Sequence, residues 1–89
     1  MDFEWDAEKR QSNIRKHGVD FIEAVQIFRD PLRIERLDER AIAQEERWKA
    51  IGVTSLGVLL VIYTIRDETY RLISARKATK YERREYRTR

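Results

Sequence analysis

Apolar residues along the chain follow two regimes. They recur every three to four positions over roughly the first thirty residues, then alternate or run together. "DFEW" reads as a short opening strand. "DAEKRQSNIRKHG" predicts a helix, with Asp6 as its cap and Glu8 in the first turn. Arg15, Lys16 and His17 fall in its last turn, and Gly18 suits the left-handed position beyond it. Its apolar face is thin, chiefly Ala7 and Ile14, which predicts a helix lying on the surface of the fold. In "VDFIEAVQIFRDP", Asp20 and Glu23 have capping-box spacing and Val19 can staple onto Ala24. Phe21, Ala24, Val25 and Phe28 then form a core-facing stripe that Ile22 and Ile27 widen. Pro31 pushes Asp30 out of helical geometry and ends the helix.

Beyond Pro31, "LRIER" is an alternating strand candidate and "DERAIAQ" a connector, either a loop or a short helical turn. "ERWKAIGVT" is a strand, "SLG" a turn, and "VLLVIYTIR" a nearly continuous apolar strand that belongs at the centre of a sheet. After the turn "DET", "YRLISAR" is a strand placing Tyr70, Leu72 and Ser74 on one face and Arg71, Ile73 and Ala75 on the other. Short connections favour an antiparallel meander. "KATKYERREYRTR" is a closing helix with Tyr81 and Glu85, and Glu82 and Tyr86, at i,i+4 spacing. With almost no aliphatic face, it either docks weakly or awaits a partner. The expected class is α+β: two N-terminal helices on a small antiparallel sheet, followed by a basic C-terminal helix.

Composition narrows the class. A chain of 89 residues suits one domain, residues 1–89, which buries only about two-thirds of its unfolded surface and leaves no room for an enclosed cofactor. The absence of cysteine excludes disulfides and thiolate metal sites and agrees with a reducing compartment. The N-terminus has no signal-peptide pattern, and the apolar run at 58–65 is too short to span a bilayer. The expectation is a cytoplasmic protein without membrane contact. Net charge is +3, and it is uneven: residues 76–89 carry seven Lys or Arg against two Glu (+5), leaving twelve against fourteen (−2) elsewhere. The C-terminal segment therefore calls for a polyanion or an acidic protein partner.

The candidate chemistry is narrow. One His and no carboxylates clustered at ligand spacing predict neither metal nor cofactor, and the glycines are too dispersed for a phosphate loop. Serine-hydrolase chemistry would need a base beside Ser12, Ser55 or Ser74, and nothing places His17 there. The remaining Arg, Lys, Tyr and His can bind RNA phosphates and stack on unpaired bases. They can also cleave RNA without metal, a base taking the 2′-hydroxyl proton while Arg or Lys stabilises the phosphorane. Composition does not choose between cleavage and binding. Each residue also has a structural reading: His17 as a helix C-terminal residue, Arg47 and Arg71 as solvated strand positions, Tyr81 and Tyr86 as aromatic support for the last helix, Trp5 and Trp48 as core.

The opening "FEWD…K…N…KHGV.F.EA…IF.DP", the middle "EERW..IG" and the closing "R.ISARKAT..ER..Y" resemble, in that order, the BrnT toxins of bacterial type II toxin-antitoxin pairs. The resemblance implies a RelE-like ribonuclease that cuts RNA and blocks translation. It further implies neutralisation by a BrnA-like antitoxin, through whose complex the protein would meet DNA only indirectly, and RNA substrates that include ribosome-associated mRNA. Matched polar positions are Lys9, Lys16, His17, Glu46, Arg47, Arg71, Ser74, Arg76, Glu82 and Tyr86. The resemblance assigns no roles; the site hypothesis drawn on these positions has Arg47, Arg71 and Arg76 on the scissile phosphate and His17, Glu46 or a tyrosine, Tyr86 among them, handling protons. Lys16, Lys77, Lys80, Tyr81, Arg83 and Arg84 would hold RNA. Strand parity opposes this assignment, since Arg71 and Arg76 point to opposite faces of an ideal strand unless a bulge intervenes. A non-catalytic RNA- or protein-binding module using the basic C-terminal segment is the alternative.

Overall fold

The computed structural model describes residues 1–39 and 45–88. Five strands, β1 (Asp2–Glu4), β2 (Ile34–Leu37), β3 (Trp48–Thr54), β4 (Gly57–Arg66) and β5 (Thr69–Lys77), form one sheet in the order β1-β5-β4-β3-β2. Strands β2 to β5 make the expected antiparallel meander, while β1 adds itself to β5 in parallel, so the sheet is mixed. Most of the connector "DERAIAQ" lies outside the described residues. The apolar β4 is central as expected because both its faces are covered: Leu59, Val61 and Tyr63 belong to the core beneath the N-terminal helices, and Leu60 and Thr64 are buried on the other face.

Helix α1 (Ala7–His17) begins at Asp6, whose carboxylate accepts the Glu8 and Lys9 N–H groups, and stops at Gly18 with φ 69°. Its contact with the sheet is polar, however: Ala7 is exposed, and the buried residue is Asn13. After the turn, α2 (Phe21–Ala24), capped by Asp20, tightens into a 3₁₀ turn over Val25–Arg29. The change of pitch decides which residues enter the core. At three residues per turn, Phe21, Ala24, Ile27 and Asp30 align and are buried, while Ile22, expected to widen the stripe, is 52% exposed. The 3₁₀ turn lies close on β3. A Cβ at Gly52 would stand 3.1 Å from Ile27 Cβ and 3.3 Å from Arg33 Cβ.

In β5, Ile62 pairs with Ser74 but Tyr63 pairs with Leu72, so Ile73 is an extra residue and the strand bulges. This overturns the simple alternation. Leu72 and Ala75, three apart, both enter the core, and Ser74 moves to the opposite face with Arg71.

Helix α3 (Lys80–Thr88) covers that opposite face. Thr79 and Glu82 form a reciprocal capping box at its start, Glu82 N–H to Thr79 Oγ1 and Thr79 N–H to Glu82 Oε1. No residue of α3 is buried. It is fastened by Glu82 to Arg76, Glu85 to Arg36 and the Tyr86 hydroxyl to Asp30. Partly exposed ion pairs of this kind are worth only about 0 to 1 kcal/mol each.

The β4–β5 hairpin turns through Asp67 and Glu68, with φ of 50° and 66°. Left-handed backbone is costly for Glu, which lacks the short side chain that lets Asp bond locally. Glu68→Gly is expected to stabilise the fold by about 0.5–1 kcal/mol, the relief of that strain less the greater freedom of an unfolded glycine, measured by urea denaturation.

Candidate functional site

Asn13 organises one side of the molecule. Strand β1 leaves the outer edge of β5 unpaired beyond Arg71, and the Asn13 carboxamide takes its place. Its Oδ1 accepts the Ala75 N–H at 3.0 Å, and its Nδ2 donates to the Ala75 and Val19 carbonyls at 2.8 Å each. One side chain thus satisfies both backbone groups of the residue that follows the bulge and ties α1 to it. On α1, Lys9, Ser12, Asn13 and Lys16 share a face, at i, i+3, i+4 and i+7. With His17 they line a shallow groove of about 250 Å³ whose other wall is Ile73 and Ser74. Asp6 caps α1 three residues before Lys9. Its carboxyl is held below the ordinary value, chiefly by the Lys9 and Glu8 N–H groups, with smaller contributions from the Arg71 and Lys9 charges. Arg71 lies 3.6 Å from Glu4 on the neighbouring β1.

The bulge answers the parity objection. Arg71 lies opposite Thr64 and Arg76 opposite Leu60, so both occupy the sheet face away from the core. Their β4 partners are four residues apart, a span of about 13 Å. Arg76 makes a bidentate contact with Glu82 at 2.8 and 2.9 Å, which raises the guanidinium pKa and lowers that of the carboxyl. Tyr86 gives its hydroxyl to Asp30, a buried carboxylate that also accepts the Leu32 and Val53 N–H groups.

Glu46 and Arg47 precede β3. Glu46 accepts the Thr64 hydroxyl through its backbone carbonyl, and the Arg47 carbonyl accepts the Asp38 N–H, leaving both side chains exposed near the Arg71 end of the sheet. The structure thus brings Lys16 and His17 to one groove, places Arg71 outside its lining and beside Glu4, and puts Arg76 and Tyr86 at the α3 contact. Lys77 is exposed at the end of β5; Lys80, Tyr81, Arg83 and Arg84 are exposed on the outward side of α3, where Arg84 lies 6.0 Å over the Tyr81 ring. Among the described residues, no three His, Asp or Glu side chains converge as metal ligands, and no helix is long and apolar enough to cross a membrane.

Sequence reasoning gave no role to Asn13, Ser12, Arg36 or Lys49. The signal for the first two was a polar stripe at helical spacing where an apolar one was sought. Thr79-x-x-Glu82 likewise carries the capping-box signature that marks the start of α3.

A mixed sheet of this form with an exposed cationic groove defines a small α+β protein suited to anionic substrates, and comparison with known families identifies it further. The family model described as ribonuclease toxin, BrnT, of type II toxin-antitoxin system matches residues 5–82. The chain belongs to the BrnT family. No curated protein matches it.

Replacing Asn13 by Ala strands three buried backbone groups and is expected to cost about 2–4 kcal/mol in chemical denaturation. Asn13→Asp is expected to cost no less, since a carboxylate would face two carbonyl oxygens. A second expectation concerns pH. Because Arg76 depresses the Glu82 pKa in the folded state, that carboxylate stabilises the docked helix above its ordinary value of 4.5 and ceases to do so as pH falls through the depressed value. Amide exchange along α3 should therefore accelerate below about pH 4.5 before the sheet unfolds.

Proposed function

We propose that this BrnT-family chain is a RelE-like, metal-independent endoribonuclease that acts in the cytoplasm as a single-domain toxin. It cleaves RNA, ribosome-associated mRNA included, stops translation and growth, and is neutralised by a BrnA-like antitoxin that also mediates any DNA contact. The observation that carries this reading is the bulge at Ile73. It turns Arg71 and Arg76 onto one face and sets Ser74 against the Lys9, Lys16 and His17 side of α1.

In this mechanism Lys9, Lys16 and Arg71 hold the backbone phosphates along the groove, and Arg47 and Arg76 contact phosphates further along the sheet. A base, His17 in the groove or Glu46 or Tyr86 beyond it, removes the 2′-hydroxyl proton. The 2′-oxygen attacks phosphorus, Arg71 stabilises the charge on the phosphorane, and the departing 5′-oxygen takes up a proton. The products are a 2′,3′-cyclic phosphate and a 5′-hydroxyl. On the outward side of α3, Lys80, Arg83 and Arg84 with Tyr81, and Lys77 beside them, supply charge and a stacking ring for flanking nucleotides. An antitoxin can neutralise such a site by covering its charge.

The purified chain is expected to generate new RNA ends in the presence of EDTA, read by primer extension. His17→Ala and Arg71→Ala should each lower cleavage by about 10²-fold or more while leaving the fold intact. Salt-sensitive RNA binding without new ends, abolished by removing residues 77–89, would instead identify a binding module. Cleavage at the wild-type rate in His17→Ala, Arg71→Ala and Arg76→Ala alike would remove these residues from the site.

A further inference from the structure

The inner side of α3 is unlike the partner an apolar sheet face normally receives. Beneath it lie Ile34, Ile51 and Leu60, with Arg36, Lys49 and Arg76 among them, yet the side chains it turns inward are Glu82, Glu85 and Tyr86. A gap of about 40 Å³ remains between helix and sheet. Each of the two carboxylates meets a guanidinium of the sheet. Glu82 faces the Arg76 guanidinium on β5 through two parallel hydrogen bonds, and Glu85 pairs with Arg36 on β2, three strands across the sheet. The outward side of the same helix carries Lys80, Arg83, Arg84 and Arg87, so the helix is acidic toward the sheet and basic toward solvent.

We infer that the sheet face beneath α3, with Arg36, Lys49 and Arg76 over a floor of Ile34, Ile51 and Leu60, is a binding surface for single-stranded RNA that α3 occupies with its own carboxylates. Arg36 and Lys49 would hold phosphates and the aliphatic floor would receive bases. RNA reaches this surface only when the helix leaves. The inference rests on the ribonuclease reading for the identity of the polyanion, and extends it by two cations and a regulatory step.

Three features make α3 displaceable. It has nine residues, too few to hold a helix in water without tertiary support. None of them is buried. Its fastenings are ion pairs and a hydroxyl contact, the type of interaction for which an incoming phosphate competes directly, and the Arg36 and Glu85 side chains are 54% and 31% exposed. Departure also releases the Tyr86 hydroxyl from Asp30, which is what any proton-handling role for Tyr86 requires.

The test replaces the carboxylates without breaking the helix. Glu82→Gln retains a capping-box residue, so the start of α3 is preserved while the carboxylate charge facing Arg76 is lost. Full-length Glu82→Gln/Glu85→Gln is compared with Glu8→Gln/Glu68→Gln, which makes the same change in net charge elsewhere. The probe is a 2′-O-methyl RNA oligonucleotide, which lacks the attacking hydroxyl and so reports binding apart from cleavage. The inner-face variant is expected to bind at least about fivefold more tightly than the charge-matched one, and Arg36→Ala or Lys49→Ala in that background should reverse the gain. In the wild-type chain, saturating oligonucleotide should accelerate amide exchange at residues 84–88. Equal affinities for the two double variants, or α3 amides that are unchanged or better protected with RNA bound, would overturn the inference. Failure of both proteins to bind would also overturn it, whereas tighter binding without cleavage would count against the ribonuclease reading alone.

Discussion

Three hydrogen bonds from one buried amide decide how the two halves of the molecule meet. A β-strand edge left open inside a small fold exposes donors and acceptors that must be satisfied. Here β1 is three residues long and covers only the first part of β5. Asn13 supplies both a donor and an acceptor to Ala75 and thus behaves as one residue of a missing strand, carried on a helix. That substitution fixes the rotation of α1, because the residue bonded to the sheet determines which neighbours stand beside it. Lys9, Ser12 and Lys16 follow from it by helical spacing. The bulge next to Ala75 is the other half of the same arrangement, since only a strand that has gained Ile73 places Ala75 in the core and Ser74 in the groove.

The sheet face away from the N-terminal helices carries a row of ion pairs around its apolar patch of Ile34, Ile51 and Leu60. Arg36, Arg66, Arg71 and Arg76 each face a carboxylate, respectively Glu85, Glu45, Glu4 and Glu82. Pairing with Arg66 lowers the Glu45 carboxyl to about 2. Such pairs neutralise a cationic surface without adding much stability, because partly exposed partners remain hydrated. A surface organised in this way stays exchangeable: one anion can replace another with little change in net interaction. The N-terminal side contrasts with it. There Phe28 and Tyr63 pack edge to face at 5.1 Å, Tyr63 stacks on Tyr70 at 5.4 Å, and the Tyr63 hydroxyl is given to Glu35. Aromatic packing is concentrated on one face and ion pairs on the other.

Local signals in the sequence carried most of the fold. Asp6, Asp20, Gly18 and Pro31 act through their own backbone neighbourhood, so their effects could be read in isolation, and the strand sequence of the meander followed from period and turns. What escaped was non-local. Ile22 is exposed because the second helix tightens to 3₁₀ against β3, where Ile27 meets Gly52, a contact between residues twenty-five apart in sequence. The parallel pairing of β1 with β5 joins the two ends of the chain. The faces assigned to Ser74 and Ala75 were inverted by a bulge that no residue type in "LISAR" announces. For the site, the residue types were legible and their grouping was not. His17 and Lys16 were recognisable as cations at a helix end, but their association with Ser74 depends on Asn13, which looked like an ordinary polar residue of an exposed helix.

The dimensions of the cationic surface limit what it can recognise. Arg71 and Arg76 stand about 13 Å apart along the sheet, and the groove beside them is open, so no small molecule could touch all these groups at once or be enclosed by them. A ligand that engages them together must be long, flexible and charged at intervals, which describes a single-stranded polynucleotide better than a nucleotide or a folded protein surface. Under the proposed function, the same argument lets so small a chain act on RNA without an interior. Affinity is distributed over several phosphates, each bound at the surface, and only the reacting phosphate needs a defined geometry. In the proposed mechanism that geometry lies beside Asn13 and the bulge, and the outlying contacts are those of the exposed cations.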